Sequence, residues 1–199
     1  MPSAAILAGG RATRFGGRDK SRLRLGGHSI LERQLAELGK LTDDVMLVVG
    51  TRDEAKVVTP QLRIVADRVP DCGPLGGLDA ALAAARHDSL VVVACDMPFV
   101  TAGLLQRLLA LTAEADAVVP RTERGYHPLC AAYTRACQPA IAAHLEARRL
   151  RMTDFFEDVR VRVVGSAELD ALGDRHRLLA NVNTPAEYDA IAADLNHEL

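Results

Sequence analysis

The segment Leu7-Ala8-Gly9-Gly10-Arg11-Ala12-Thr13-Arg14-Phe15-Gly16-Gly17-Arg18-Asp19-Lys20 carries the residue types needed to hold an anion. Four glycines within nine residues let the backbone turn sharply and approach a ligand closely. Arg11, Arg14, Arg18 and Lys20 place four positive charges around that turn. Backbone N–H groups left over at such a turn, together with the cations, form a concavity suited to phosphate oxygens. Two common phosphate loops do not fit. Lys20-Ser21 is preceded by Asp19 and not by the glycine a Walker A loop needs, and Gly9 and Gly10 are adjacent, which breaks the Gly-x-Gly-x-x-Gly spacing. Further along, Asp67 and Asp96 each follow an apolar run directly. At Asp96, directly after the most buried strand, a carboxylate is costly without a partner, and a hard divalent cation is the partner that triphosphate chemistry brings. Asn181 and Asn183 flank Val182, so in an extended segment both amides point to one side. His127, in Arg124-Gly125-Tyr126-His127-Pro128, is the one histidine singled out for a role. His28, His87, His144, His176 and His197 read as solvated.

These groups need a scaffold, and the apolar pattern supplies one. Ala4 to Leu7 predicts a first strand buried on both faces, ending at the glycine-rich turn. Ser29-Ile30-Leu31-Glu32 is a capping box that opens a helix with Ile30, Leu31, Leu35 and Leu38 on its apolar stripe. Val45 to Val49 and Arg63 to Ala66 predict a second and a third strand, and ligands in open α/β sheets gather beyond such strand ends, where Asp67 stands. Pro70 to Gly77, rich in proline and glycine, reads as a shaped loop before a helix carrying Leu78, Ala81, Leu82 and Ala85. Leu90 to Cys95 is the strongest strand and is expected at the sheet centre. A helix over Thr101 to Leu111 and a strand at Ala117 to Val119 follow. The turn at Arg124 to Pro128, with the apolar Leu129 to Tyr133 after it, suggests an edge hairpin. A helix over Ala140 to Arg151 would end in arginines, as a dipole-favoured terminus or a second anion clamp. Val161 to Val164 predicts a last strand, and Thr184-Pro185-Ala186-Glu187 a capped final helix. Alternating strands and helices without a compositional break predict one layered α/β domain over residues 1–199.

Composition narrows the function. The chain of 199 residues suffices for one full core, and with 49% apolar and 25% charged residues it reads as globular. A net charge of -2 argues against a broad nucleic-acid face and makes the amino-terminal cations a local feature for small anions. No apolar run approaches a membrane span and no basic leader precedes the first strand, so a cytoplasmic protein is expected. Cys72, Cys95, Cys130 and Cys137 lack Cys-x-x-Cys spacing and imply neither zinc nor disulfides.

Three separated pieces, Leu7-Ala8-Gly9-Gly10 through Lys20, Cys95-Asp96-Met97-Pro98 and Asn181-Val182-Asn183-Thr184-Pro185, together resemble the molybdenum cofactor guanylyltransferase family, and Gly73-Pro74-Leu75-Gly76-Gly77 is similar to that family's pattern. The resemblance implies a Rossmann-like three-layer nucleotidyltransferase fold with a central, mostly parallel sheet. It also implies an Mg2+-dependent transfer of GMP from GTP to the phosphate of molybdopterin, releasing pyrophosphate. On that basis Leu7, Ala8 and Gly9 would meet the nucleotide through backbone and Lys20 its phosphates. Asp67 would help hold the nucleoside, and Asp96 would bind Mg2+. Arg14 and Lys20 would neutralise the triphosphate, with Asn181, Asn183 and His127 on the pterin side. Where some members carry an asparagine after the second strand, this chain has Gly50-Thr51-Arg52. Other molybdenum cofactor biosynthesis proteins and acceptor molybdoenzymes are the further partners implied. A cytidylyl- or sugar nucleotidyltransferase is the alternative within the same chemistry, and a non-catalytic GTP-binding or cofactor carrier protein the alternative outside it.

Overall fold

The computed structural model describes residues 1–8, 23–50 and 62–197, with side chains through Ile191. The order of elements begins with β1 (Ser3–Leu7), every residue of which is buried. A small hairpin of β2 (Arg24–Leu25) and β3 (His28–Ser29) then turns through Gly26 and Gly27, whose φ values of 57° and 85° are what a two-residue hairpin turn of this hand requires. Helix α1 (Ile30–Leu38) starts at the Ser29–Glu32 capping box. β4 (Val45–Val49), β5 (Arg63–Ala66), α2 (Gly73–Ala84) and β6 (Ser89–Ala94) follow. After α3 (Ala102–Ala110), the chain forms β7 (Ala117–Thr122), β8 (Gly125–Tyr126) and β9 (Cys130–Thr134). The remaining elements are α4 (Gln138–Glu146), β10 (Val161–Val164), α5 (Ser166–Asp170), α6 (Arg175–Leu178) and α7 (Pro185–His197).

The main sheet has the order β10-β7-β9-β6-β1-β4-β5, with β8 paired to β7. β5, β4, β1 and β6 are mutually parallel, β7 and β10 are parallel, and β9 runs against both β6 and β7. All strands of the path except β9 therefore point the same way. Alternation along β1 divides the core: Ala4 and Ile6 face a cluster with Leu38 of α1 and Leu104, Leu105 and Leu108 of α3, whereas Ala5 and Leu7 face one with Leu75, Leu78 and Leu82 of α2 and Ile141 of α4. Helices cover both faces, as expected of a three-layer α/β fold. A third cluster of Leu25, Ile30 and Val182, joined by Tyr188 and Ile191, seats α7 against the small hairpin.

Four local expectations are corrected. The segment after Arg124–Pro128 is not an edge hairpin arm, because β9 lies between β6 and β7 and is buried along its length. Its apolar residues point to both faces, which only an interior strand can cover. The stretch read as a loop through Gly77 is already helical from Gly73, with Pro74 in the first turn, where its fixed φ and missing N–H are tolerated. Helix α4 stops at Glu146, not Arg151, since Arg148 takes a φ of 55° and turns the chain out of the helix. His144 is buried, with Nε2 2.7 Å from Asp158 Oδ2 and 2.9 Å from Arg149 Nη2. The placement of α4 over the second core face puts its ring inside.

Candidate active site

The site lies where the sheet reverses its strand order. β1 pairs with β4 on one side and β6 on the other, and Leu7 at its end is in register with Val48 and Ala94. Beyond Leu7 the ladders continue briefly, with Ala8 N donating to Val48 O at 2.8 Å and Cys95 N to Leu7 O at 3.1 Å. In open α/β sheets a crevice forms at such a switch point, at the carboxyl ends of the strands. A cavity of about 270 Å³ occupies it, lined by Leu7, Asp67, Gly77, Asp96, Asn181 and Asn183 among others.

Each polar group there is placed by an identifiable contact. Asp67 N donates to Val49 O at 2.9 Å, carrying the β4–β5 ladder one residue past the strand. Its carboxylate lies against the first turns of α2: a methyl group on Gly76 or Gly77 would stand 3.7 Å from Asp67 Oδ2 or Oδ1, respectively. A methyl on Gly76 would also come within 2.8 Å of Cys72 Cβ, so a glycine is needed where Cys72 leads into the first turn of α2. Asp96, half-buried, follows the central strand in a turn in which Met97 N donates to Ala94 O at 3.2 Å. The segment before α7 closes on it. Asn181 Nδ2 donates to Asp96 Oδ1 at 2.9 Å and Val182 N to Asp96 O at 2.8 Å, while the Val182 side chain is fully buried. Arg177, over the Phe99 ring at 4.8 Å, ties α6 to the segment that follows this turn. The last helix then starts at a complete capping box, in which Glu187 N donates to Thr184 Oγ1 at 3.2 Å and Thr184 N to Glu187 Oε2 at 3.0 Å.

The structure thus brings Leu7, Asp67, Asp96, Asn181 and Asn183 to one cavity, with Ala8 beside it. Gly9, Arg14 and Lys20 lie outside the described residues, as does Thr51. His127 is not in the cavity lining. Its half-buried ring is held by Thr122, with Nε2 2.9 Å from Oγ1, and burial followed by the charge of Arg124 pushes its pKa below the usual histidine range. Leu129, Cys95 and Val48 also line the cavity and carried no chemical signal in the sequence. Gln34 does not line it, but its position midway between buried Ile30 and Leu38 places a polar residue on a core stripe.

Among the described residues no group of three or more histidine, cysteine, aspartate or glutamate side chains forms a metal cluster. A hard cation such as Mg2+ takes one or two carboxylates and completes its shell with substrate phosphate and water. Asp96 supplies an oxygen donor at the cavity, and its fixed orientation through Asn181 fits that requirement. A larger cleft of about 580 Å³ shares no lining residue with this cavity. It mixes Glu32, Glu37 and Asp174 with Arg33 and Arg177 beside α1 and α6. The smaller cavity is the better candidate because strand-end carboxylates and the sheet's switch point converge there.

One sheet between two helical layers, with a cavity at its strand-order switch point, defines a ligand-binding three-layer α/β protein. The description of a MobA-like NTP transferase domain matches residues 4–161. Among curated relatives, the probable molybdenum cofactor guanylyltransferase of Pelotomaculum thermopropionicum is 35% identical, over 93% of this chain and 89% of its own. That of Carboxydothermus hydrogenoformans is 32% identical over 95% of this chain and 94% of its own. In fold, the chain is similar to molybdopterin-guanine dinucleotide biosynthesis protein A from Archaeoglobus fulgidus, with a TM-score of 0.83, 22% identity and coverage of 98% and 99% of the two chains. It is also similar to 4-diphosphocytidyl-2C-methyl-D-erythritol synthase from Anaerococcus prevotii, with a TM-score of 0.70, 16% identity and coverage of 98% and 96%. The protein belongs to the MobA-like NTP transferase family.

Proposed function

We propose that this protein transfers GMP from GTP to the terminal phosphate of molybdopterin, forming molybdopterin-guanine dinucleotide and releasing pyrophosphate. The observation that carries the reading is the docking of Asn181-Val182-Asn183 onto Asp96 at the switch point of the sheet, which joins two of the three motifs in one cavity. The relatives named molybdenum cofactor guanylyltransferase support guanine over cytosine, a choice the shared fold alone does not make.

In this reading a phosphate oxygen of molybdopterin attacks the α-phosphorus of GTP. A new P–O bond forms, the α–β bridging P–O bond breaks, and the pair of electrons leaves with pyrophosphate. The nucleophile is already ionised, so no general base and no covalent enzyme intermediate are needed. What the protein must do is overcome repulsion between two anions and align them. Arg14 and Lys20 serve the triphosphate, and the backbone of Leu7, Ala8 and Gly9 serves the nucleotide. Asp67, against the start of α2, helps hold the nucleoside, while Asn181 and Asn183 orient the pterin substrate. Mg2+ held by Asp96 would supply Lewis-acid neutralisation of the phosphate oxygens. His127, whose ring is held by Thr122, stands with Asn181 and Asn183 on the pterin side in this reading.

The reading puts the protein in the cytoplasm. All four cysteines lie among the described residues and none forms a disulfide, and burial pushes the thiols of Cys130 and Cys137 up to about 12, leaving them inert. No described helix is long and apolar enough to cross a membrane. The test is a nucleotide panel with molybdopterin and Mg2+, reading pyrophosphate release. GTP should be strongly preferred. Preference for CTP would overturn the guanine assignment, and tight GTP binding without pyrophosphate release would favour a carrier.

A further inference from the structure

We infer that Gln34 is a positioning residue for Asp96, holding the turn that bears this carboxylate from helix α1. The inference rests on the reading of Asp96 given above. Gln34 is 0% exposed, on the α1 face that also buries Ile30 and Leu38. Its Nε2 donates to Ala94 O at 2.7 Å and to Met97 O at 2.9 Å. Those are the carbonyls at the two ends of the Ala94–Met97 turn, with Asp96 between them.

Two features indicate that this amide is more than filler. An aliphatic side chain would occupy the same buried stripe without a polar group to desolvate, and Gln34 Oε1 is itself buried with no hydrogen-bond partner among the described residues. That burial cost is offset only by what the Nε2 hydrogens hold. The second feature is how the bracing is shared. The 181–183 segment fixes Asp96 from one side through its carbonyl and Oδ1, and α1 fixes the turn's two ends from the core through Gln34. The carbonyls of residues 94, 96 and 97 all accept hydrogen bonds, so the 94–95, 96–97 and 97–98 peptide units cannot rotate without losing one. A carboxylate that must meet a phosphate-bound ion in one orientation gains directly from this restraint, because displacement by about 1 Å costs on the order of 100-fold in rate.

The experiment compares Gln34→Met, which keeps length and volume but removes both donors, with Gln34→Glu, which keeps shape and replaces the donating nitrogen by oxygen. Amide hydrogen exchange of the protein without nucleotide or metal should show Cys95 to Met97 exchanging about 10-fold faster in Gln34→Met, with β6 core amides unchanged. In GMP transfer from GTP to molybdopterin, kcat should fall about 10- to 100-fold with the KM for GTP within about threefold. Gln34→Glu should recover toward the wild-type rate as pH falls, because the protonated carboxyl regains a donor. If the Met variant does not fold, this pH profile carries the test alone. Loss of the Asp96 carboxylate should absorb the effect: in an Asp96→Asn background, Gln34→Met should cost no further residual single-turnover rate. Wild-type exchange and turnover in Gln34→Met, or an undiminished further loss in the Asp96→Asn background, would overturn the inference while leaving Asp96 in place. Wild-type turnover by Asp96→Asn alone would instead remove the reading of Asp96, and the inference with it.

Discussion

The two ends of the sheet treat their aspartates in opposite ways. At the amino ends of the strands, Asp44 is 2% exposed and saturated. Ser3 Oγ donates to it at 2.6 Å, Arg86 N at 3.0 Å and Arg63 Nη2 at 2.7 Å, with Arg86 Nε at 3.6 Å. At the carboxyl ends, Asp67 and Asp96 are half-buried and face a cavity. The difference teaches what each end is for. Asp44 joins the starts of β1, β4 and β5 and the chain before β6, and its charge is consumed in holding them together. At the carboxyl end, Asp96 Oδ1 accepts a hydrogen bond from the side-chain amide of Asn181, and Asp67 is placed by its own backbone N–H, which donates to Val49 O. Structure is built at one end, and the proposed chemistry uses the other.

The largest effects should come from the carboxyl end. Asp96→Asn should lower single-turnover GMP transfer by about 100- to 1,000-fold, within the range for losing one well-placed electrostatic group, while the melting temperature stays within a few degrees. Lys20→Ala should likewise lower turnover by orders of magnitude and leave folding intact. Near-normal transfer by either variant would break the contrast. Asp44→Ala should do the reverse, destabilising the fold by about 3 kcal/mol because it leaves buried donors and Arg63 without their partner, with near-normal turnover in the folded fraction at low temperature. Chemical denaturation beside single-turnover kinetics checks both halves.

The same carboxylate sets a pH dependence. Burial would raise the pKa of Asp44, but hydrogen bonds from Ser3 and Arg86 and the charges of Arg63 and Arg86 outweigh it and hold it below the ordinary value. A depressed folded-state pKa stabilises above the unfolded aspartate's pKa and is lost as pH falls through the folded value. Stability should therefore decline below about pH 4, and in Asp44→Asn that part of the decline should disappear. An unchanged acid profile in Asp44→Asn would assign the loss to other carboxylates.

How much of this was legible follows the same division. The strands were readable because each is an apolar run with a defined end: Val45–Val49 and Val161–Val164 match their elements, and Asp67 and Asp96 were placed at strand ends from one-dimensional pattern alone. The pairing of Asn181 and Asn183 on one side of Val182 was readable because alternation is local. What could not be read depends on distant partners. Nothing local says that β9 inserts between β6 and β7, that the ring of His144 meets Asp158, or that Arg148 leaves the helix to approach Cys72. Asp44 gave no functional signal because its partners come from residues 3, 63 and 86. Gln34 was detectable in principle as a polar residue on an apolar stripe, but its targets lie on β6 and the turn after it.

Smaller effects sharpen the comparison at the first turn of α2, where Gly76 and Gly77 stand next to each other with different surroundings. A methyl at Gly76 meets Cys72 Cβ at 2.8 Å, so helix or turn must shift, and Gly76→Ala should cost about 1–3 kcal/mol. At Gly77 the nearest atoms to an added methyl are the Leu7 methyls at 3.6 Å and Asp67 Oδ1 at 3.7 Å, ordinary contact distances. Gly77→Ala should therefore leave the melting temperature nearly unchanged while raising the KM for GTP several-fold, because the methyl enters the cavity lining beside Asp67. The reverse pattern, a stable Gly76→Ala and a destabilised Gly77→Ala, would mean that α2 is anchored by something other than its approach to Cys72. Loss of kcat instead of GTP affinity in Gly77→Ala would move Asp67 from holding the nucleoside to serving the reacting phosphates.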